Sequence, residues 1–136
     1  MLDQPTLSGA GQVLLGILVA AAAVNDVTFA QSRSRSLTRA GRSHRAVVAH
    51  LAARGVDSAA ARAVLPEDAE TELAAALVLA RRRRIGPFRQ DDAKEPAQRL
   101  RELAILARAG FPQDVARRAL SMDHAAAEAL VIQLRR

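Results

Sequence analysis

The side chains best placed to do chemistry in this chain are arginines. Four stand in a row, Arg81, Arg82, Arg83 and Arg84, and five more are spread over a short stretch, Arg33, Arg35, Arg39, Arg42 and Arg45. A guanidinium offers a planar fork of donors that matches phosphate and carboxylate. These runs therefore point to anion recognition, toward nucleic-acid phosphate or an acidic protein surface. Four consecutive arginines cover all sides of a helix, so at most two of them face one partner. A plainer reading stands beside this one. Cations suit the C-terminal end of a helix dipole, and the run around Gly41 would serve as a solvated face.

The other reactive residue types do not assemble into a site in the sequence. His44 and His50 lie six apart, outside the i, i+3 or i, i+4 spacing of helical metal ligands, and His124 has no partner at such a spacing. Ser8-Gly9-Ala10-Gly11 lacks the Lys-Ser/Thr that completes a phosphate-binding loop. With no cysteine, disulfides and thiolate metal sites are excluded, and a reducing compartment fits. The reading is of a non-enzyme with no cofactor, no metal and no small-molecule substrate. Phe29, Phe88 and Phe111 are the only aromatics, so base stacking is poorly supported. Phe29 and Phe111 read as core anchors.

The elements that would carry these arginines are helices. Half of the 136 residues are apolar, mostly Ala, Leu and Val, which suits close helix packing and not a sheet. The net charge is +6, and 19 of the 20 basic residues are arginine, Lys94 being the exception. Residues 1–11 read as a disordered tail. Residues 13–24 (VLLGILVAAAAV) are uniformly apolar but short for a membrane span, and no Lys or Arg precedes them as in a signal peptide. A buried helix is expected there. Asn25 and Asp26 read as N-caps of a new helix carrying Phe29, Arg33 and Leu37 and ending at Gly41.

Ser43 can cap the next helix, with Val47, Val48, Leu51 and Ala52 on one face and Gly55 at its end. Asp57 or Ser58 starts a short helix that Pro66 closes. Glu67, Asp68 and Glu70 suit the start of another, with Leu73, Leu77 and Ala80 inward, the four arginines in its last turn and Gly86-Pro87 ending it. After a loop, residues 96–109 form a helix with Leu100, Leu103, Leu106 and Ala107 inward. Gly110 breaks it, and a short helix runs to Leu120. Ser121 or Asp123 caps a last one through Leu134.

The chain also repeats itself. Residues 50–65 (HLAARGVDSAAARAVL) and 105–120 (ILARAGFPQDVARRAL) share six identities at an offset of 55, Gly55 with Gly110 and Leu65 with Leu120 among them. The expected fold is all-α, tandem three-helix repeats in an elongated, curved array. The units are residues 12–65, with the apolar helix in front, and residues 66–120; residues 121–136 form a C-terminal helix.

The motifs resemble those of the RecX family, bacterial regulators of the RecA recombinase. Asn25-Asp26-Val27-Thr28-Phe29-Ala30 is similar to the opening of a family repeat, and Leu51-Ala52-Ala53-Arg54-Gly55-Val56 to its helix end. Arg81-Arg82-Arg83-Arg84-Ile85-Gly86-Pro87-Phe88-Arg89 resembles the middle-repeat signature. Leu106-Ala107-Arg108-Ala109-Gly110-Phe111 and Val115-Ala116-Arg117-Arg118-Ala119-Leu120 resemble the last repeat. The resemblance covers roughly residues 24–120; residues 1–23 depart from the family pattern. It implies a cytoplasmic, monomeric regulator that binds the RecA filament, with DNA phosphate contacts possible and no membrane involved. Two rivals stand beside it: a sequence-independent basic DNA binder, and an exported or membrane-anchored helical protein built around residues 13–24.

Overall fold

The protein is all-α. The computed structural model describes residues 8–65, 68–91 and 95–136. In order come α1 (Gly9–Arg39), α2 (His44–Ala53), α3 (Ser58–Val64), α4 (Ala69–Arg83), a 3₁₀ turn (Gly86–Phe88), α5 (Pro96–Arg108), α6 (Gln113–Ser121) and α7 (His124–Arg135). Pro66, Glu67 and Lys94 lie outside the described residues, as do residues 1–7 of the expected tail.

Four helices end in the same way. At α1, α2 and α5 a glycine with positive φ follows the helix: Gly41 at 91°, Gly55 at 81° and Gly110 at 95°. The N–H after each glycine returns to a carbonyl in the last turn: Arg42 to Leu37, Val56 to Leu51 and Phe111 to Leu106. This left-handed ending satisfies carbonyls that the helix leaves unpaired. α4 ends likewise, with the Ile85 N–H bonded to the Ala80 carbonyl, but the left-handed position holds Arg84 at φ 55°. The expected terminator, Gly86, falls two residues later, in the 3₁₀ turn. An ideal Cβ on Gly86 would lie 2.9 Å from Leu120 Cδ2, so glycine serves there as a close-packing residue against α6.

α4 is the centre of the fold. It packs against α1 on one side and against α6 and α7 on others. Sequence pattern places only Leu73, Leu77 and Ala80 inward, yet every residue from 73 to 80 is buried. A helix surrounded by helices has no solvent face, and its small alanines let the neighbours approach. Leu106, Phe111, Ala116, Ala119, Ala127 and Val131 complete this core. A smaller core of Ala30, Val47, Leu51, Val56, Ala61 and Leu65 joins α1, α2 and α3.

α1 departs from expectation most. It runs unbroken for 31 residues, so Asn25 and Asp26 cap nothing, and residues 9–11 belong to its first turn, which Ser8 Oγ caps. No glycine or proline interrupts residues 17–39. An Asn-Asp pair costs about 1 kcal/mol in a helix interior, less than nucleating a new helix. Nor is the apolar segment buried: Val13, Leu14, Leu15, Ile17, Leu18, Val19 and Val24 are each at least 50% exposed. Phe29 is 42% exposed and anchors no core, whereas Phe111, at 4%, does. The packed part of α1 begins near Ala30, where α3 and α4 meet it.

In α5, Leu100 and Ala107 face solvent, and Glu102 takes an inward place at 3% exposure. Burying a carboxylate requires a partner, and Arg89 supplies it.

Candidate interaction surface

Two arginine runs far apart in sequence meet at the ends of α1 and α4. The turn after α1 lies directly on α4: an ideal Cβ on Gly41 would stand 3.1 Å from the Leu79 nitrogen and 3.2 Å from Val78 Cγ1. Only glycine, with its positive φ and missing side chain, lets the backbone rest there. At this junction Arg82 Nη1 donates to the Ala40 carbonyl at 3.2 Å, across 42 residues of chain. Arg39 and Arg42 flank that carbonyl in sequence, so the run after Gly41 and the run ending α4 share one neighbourhood.

The nine candidate arginines divide by environment. Arg35, Arg39, Arg42, Arg45, Arg82, Arg83 and Arg84 are exposed, while Arg33 and Arg81 are half-buried. Arg33 turns inward, donating through Nε to His50 Nε2 at 3.2 Å and linking α1 to α2. Partial desolvation, followed by the charges of Arg33, Arg54 and Arg42, pulls the His50 pKa below its ordinary value. Among the described residues, none of the nine forms an ion pair with a carboxylate. Exposed guanidinium groups without a direct carboxylate partner keep their donors for an outside anion.

Arg35, Arg39 and Arg45 also line a cleft of about 960 Å³, together with Asp68, Glu72 and Asp114. Glu72 is half-buried and accepts the His44 N–H at the start of α2, at 3.0 Å to Oε2. Burial pushes its carboxyl above the ordinary carboxylate range, and the His44 N–H opposes the shift.

Other features were not foreseen from the sequence. Arg89 grips Glu102 through Nε and Nη2, at 2.9 Å and 2.6 Å to Oε1, and the same oxygen accepts the Gly86 N–H at 3.3 Å. The pairing raises the Arg89 pKa, chiefly through the side-chain hydrogen bond. The signal was present: Glu102 interrupts the apolar face made by Leu103 and Leu106. Beside this pair Arg99 and Arg117 line a groove of about 690 Å³ between α5 and α6. Single arginines 18 residues apart carry no pattern that sequence inspection would group. Among the described residues, no three His, Asp or Glu side chains gather as a metal site.

The chain is 35% identical over 116 residues, 84% of its length, to the regulatory protein RecX of Myxococcus xanthus. It is 32% identical over 106 residues, 78% of its length, to the regulatory protein RecX of Agrobacterium fabrum. The chain belongs to the RecX family. It spans 62% and 56% of these two RecX relatives, about three fifths of their length. No protein-family model and no solved structure matches it. The motifs that resemble RecX repeats have structural counterparts here. The glycines of Leu51–Val56 and Leu106–Phe111 are the left-handed residues after α2 and α5. In the run from Arg81 to Arg89, Arg84 takes the left-handed position, Gly86 packs on Leu120, and Arg89 binds Glu102.

Proposed function

We propose that this chain is a non-enzymatic regulator of RecA-type recombinase filaments, with its packed helical units acting on the cytoplasmic side as a monomer. In this reading α1–α2–α3 and α4–α5–α6 are two three-helix repeats, and α7 begins a third. An array of linked units lies along the filament groove, touches successive subunits and reduces recombination and coprotease activity. Weak contacts from separate units add through effective concentration. The similarity to two RecX proteins supports the regulatory role.

The observation that carries the surface assignment is the Arg82–Ala40 contact. It brings the turn that holds Arg39 and Arg42 against Arg82, and in this reading the exposed arginines around that junction form the basic face. Its targets would be acidic residues of the filament and, where exposed, DNA phosphate. A RecA ATPase and strand-exchange assay with and without the full chain tests the reading. Inhibition that weakens steeply with salt is expected. Salt-dependent DNA binding with no effect on RecA activity would instead assign the chain to sequence-independent DNA binding.

A further inference from the structure

Two stretches of this molecule are apolar on every side of a helix, and they meet opposite environments. Residues 73–80 of α4 are enclosed by α1, α6 and α7. Residues 9–25 of α1 are exposed except for Gly11. Their large side chains, at 13, 14, 15, 17, 18, 19 and 24, sweep about two thirds of the circumference at 100° per residue, and Gly16, Ala20 and Ala23 fill the rest. A helix apolar all round belongs inside a large core or a bilayer. A partner protein or a second copy docking on one side would leave the opposite side in water.

We propose that residues 9–25 cross a lipid bilayer and tether the helical units to its cytoplasmic face. Several observations converge on lipid. No charged residue stands between Asp3 and Asp26. The helical part of that stretch, 17 residues from 9 to 25, rises about 25 Å, at the short end of what spans a bilayer. The helix is long and apolar enough to cross a membrane, and its large apolar side chains are exposed.

The charge pattern then sets the direction. The first basic residue of the chain is Arg33, and between residues 27 and 56 the charged side chains are six arginines and no carboxylates. Lys and Arg next to a span stay on the cytoplasmic side, where anionic headgroups attract them. α1 does not break at the membrane boundary, so the span continues rigidly into the packed part at Ala30, Ser34 and Leu37. The four-residue gap between Asn25 and Ala30 leaves no flexible linker. The cores lie beyond the interface and need no lipid to form.

The test uses the full chain made in a bacterial host. Membranes are floated on a density gradient, then washed at alkaline pH, and the N-terminus of the recovered chain is sequenced. The uncut chain should float with membranes and resist the wash. Leu14→Arg with Leu18→Arg, both at exposed positions, should lower the floating fraction at least tenfold while circular dichroism of the released protein still shows a helical fold. Because the chain has no cysteine, single-cysteine variants report topology. Ser8→Cys should react with a membrane-impermeant maleimide in spheroplasts, and Arg62→Cys only after lysis. A soluble wild-type chain, monomer or oligomer, would overturn the proposal. So would a pelleting aggregate, cleavage after the apolar segment, a floating double-arginine variant, or labelling in the reverse order.

Discussion

The Ser43 hydroxyl occupies the space that a side chain at residue 110 would need: an ideal Cβ on Gly110 would lie 2.6 Å from Ser43 Oγ. That hydroxyl donates to the Ala109 carbonyl at 2.8 Å and accepts the Ala46 N–H at 3.1 Å. One buried serine thus caps α2 and fastens it to the end of α5. Gly55 ends α2 with the same left-handed backbone, but its Cβ direction is open, with nothing within 4 Å. Gly55→Ala should therefore cost only the left-handed strain, about 1–2 kcal/mol. Gly110→Ala adds a steric conflict with Ser43 and should cost about 3 kcal/mol or more. Urea denaturation measures both. In a Ser43→Ala background the penalty at Gly110 should shrink, a coupling that a double-mutant cycle reads directly. Equal losses at the two glycines would show that Ser43 moves aside freely.

Glu102 is the buried acid on which the turn after α4 depends. Glu102→Ala would leave the Arg89 guanidinium, 16% exposed, without its carboxylate and the Gly86 N–H without an acceptor. A loss of about 3 kcal/mol in unfolding free energy is expected. Glu102→Gln keeps an oxygen for Gly86 and should lose less. If thermal unfolding places the alanine variant within 0.5 kcal/mol (roughly the range of neutral surface changes), the pair is not structural.

His50 makes stability depend on pH. The neutral ring accepts the Arg33 Nε–H, and three arginine charges oppose its protonation. Its folded pKa lies below the unfolded value of about 6.5. The unfolded chain therefore takes up the proton first as pH falls. The contribution is complete above about pH 6.5 and is lost as pH drops through the lowered folded value. The urea midpoint should fall between pH 7.5 and 5.5, and His50→Gln should flatten that slope. An unchanged slope would remove His50 from the account.

Charge reversal at Arg82 and Arg83 should weaken inhibition of RecA strand exchange and lessen its salt dependence, with helicity retained. Both side chains are exposed, and the Arg82 bond to the Ala40 carbonyl is worth about 1 kcal/mol at most. A folded double variant that inhibits as strongly as the native chain would assign this run to solvation and to the helix dipole.

Arg84 separates stability from binding at one residue. It stands in the left-handed position that glycine fills after α1, α2 and α5. Arg84→Gly should stabilise the protein by about 0.5–1 kcal/mol, the relief of strain being partly offset by the freer unfolded chain. If Arg84 also serves the basic face, the more stable variant will inhibit less. A variant that is more stable and inhibits fully would show that the residue has no part in binding.

Much of this protein is legible from local chemistry. Helix periodicity and turn residues sufficed for an all-α chain, for Ser43 as a cap, for narrowing the last cap to Ser121 or Asp123, and for Gly41, Gly55 and Gly110 as helix ends, because each acts within one turn of backbone. The contents of the surroundings were not legible in that way. Asn25 and Asp26 have the side chains of caps, but with no breaker nearby the helix ran through them. Leu100 and Glu102 lie on nearly opposite faces of α5, and a partner 13 residues from the glutamate determined that its face goes inward. Residues 13–24 and 73–80 are both apolar all round, yet only the second is enclosed. Hydrophobicity states that a surface must be covered, whereas the packing of helices distant in sequence determines which surface receives the cover. The meeting of Arg82 with Ala40 is of the same kind: neither residue marks the other in the sequence, and their contact exists because α1 and α4 end side by side.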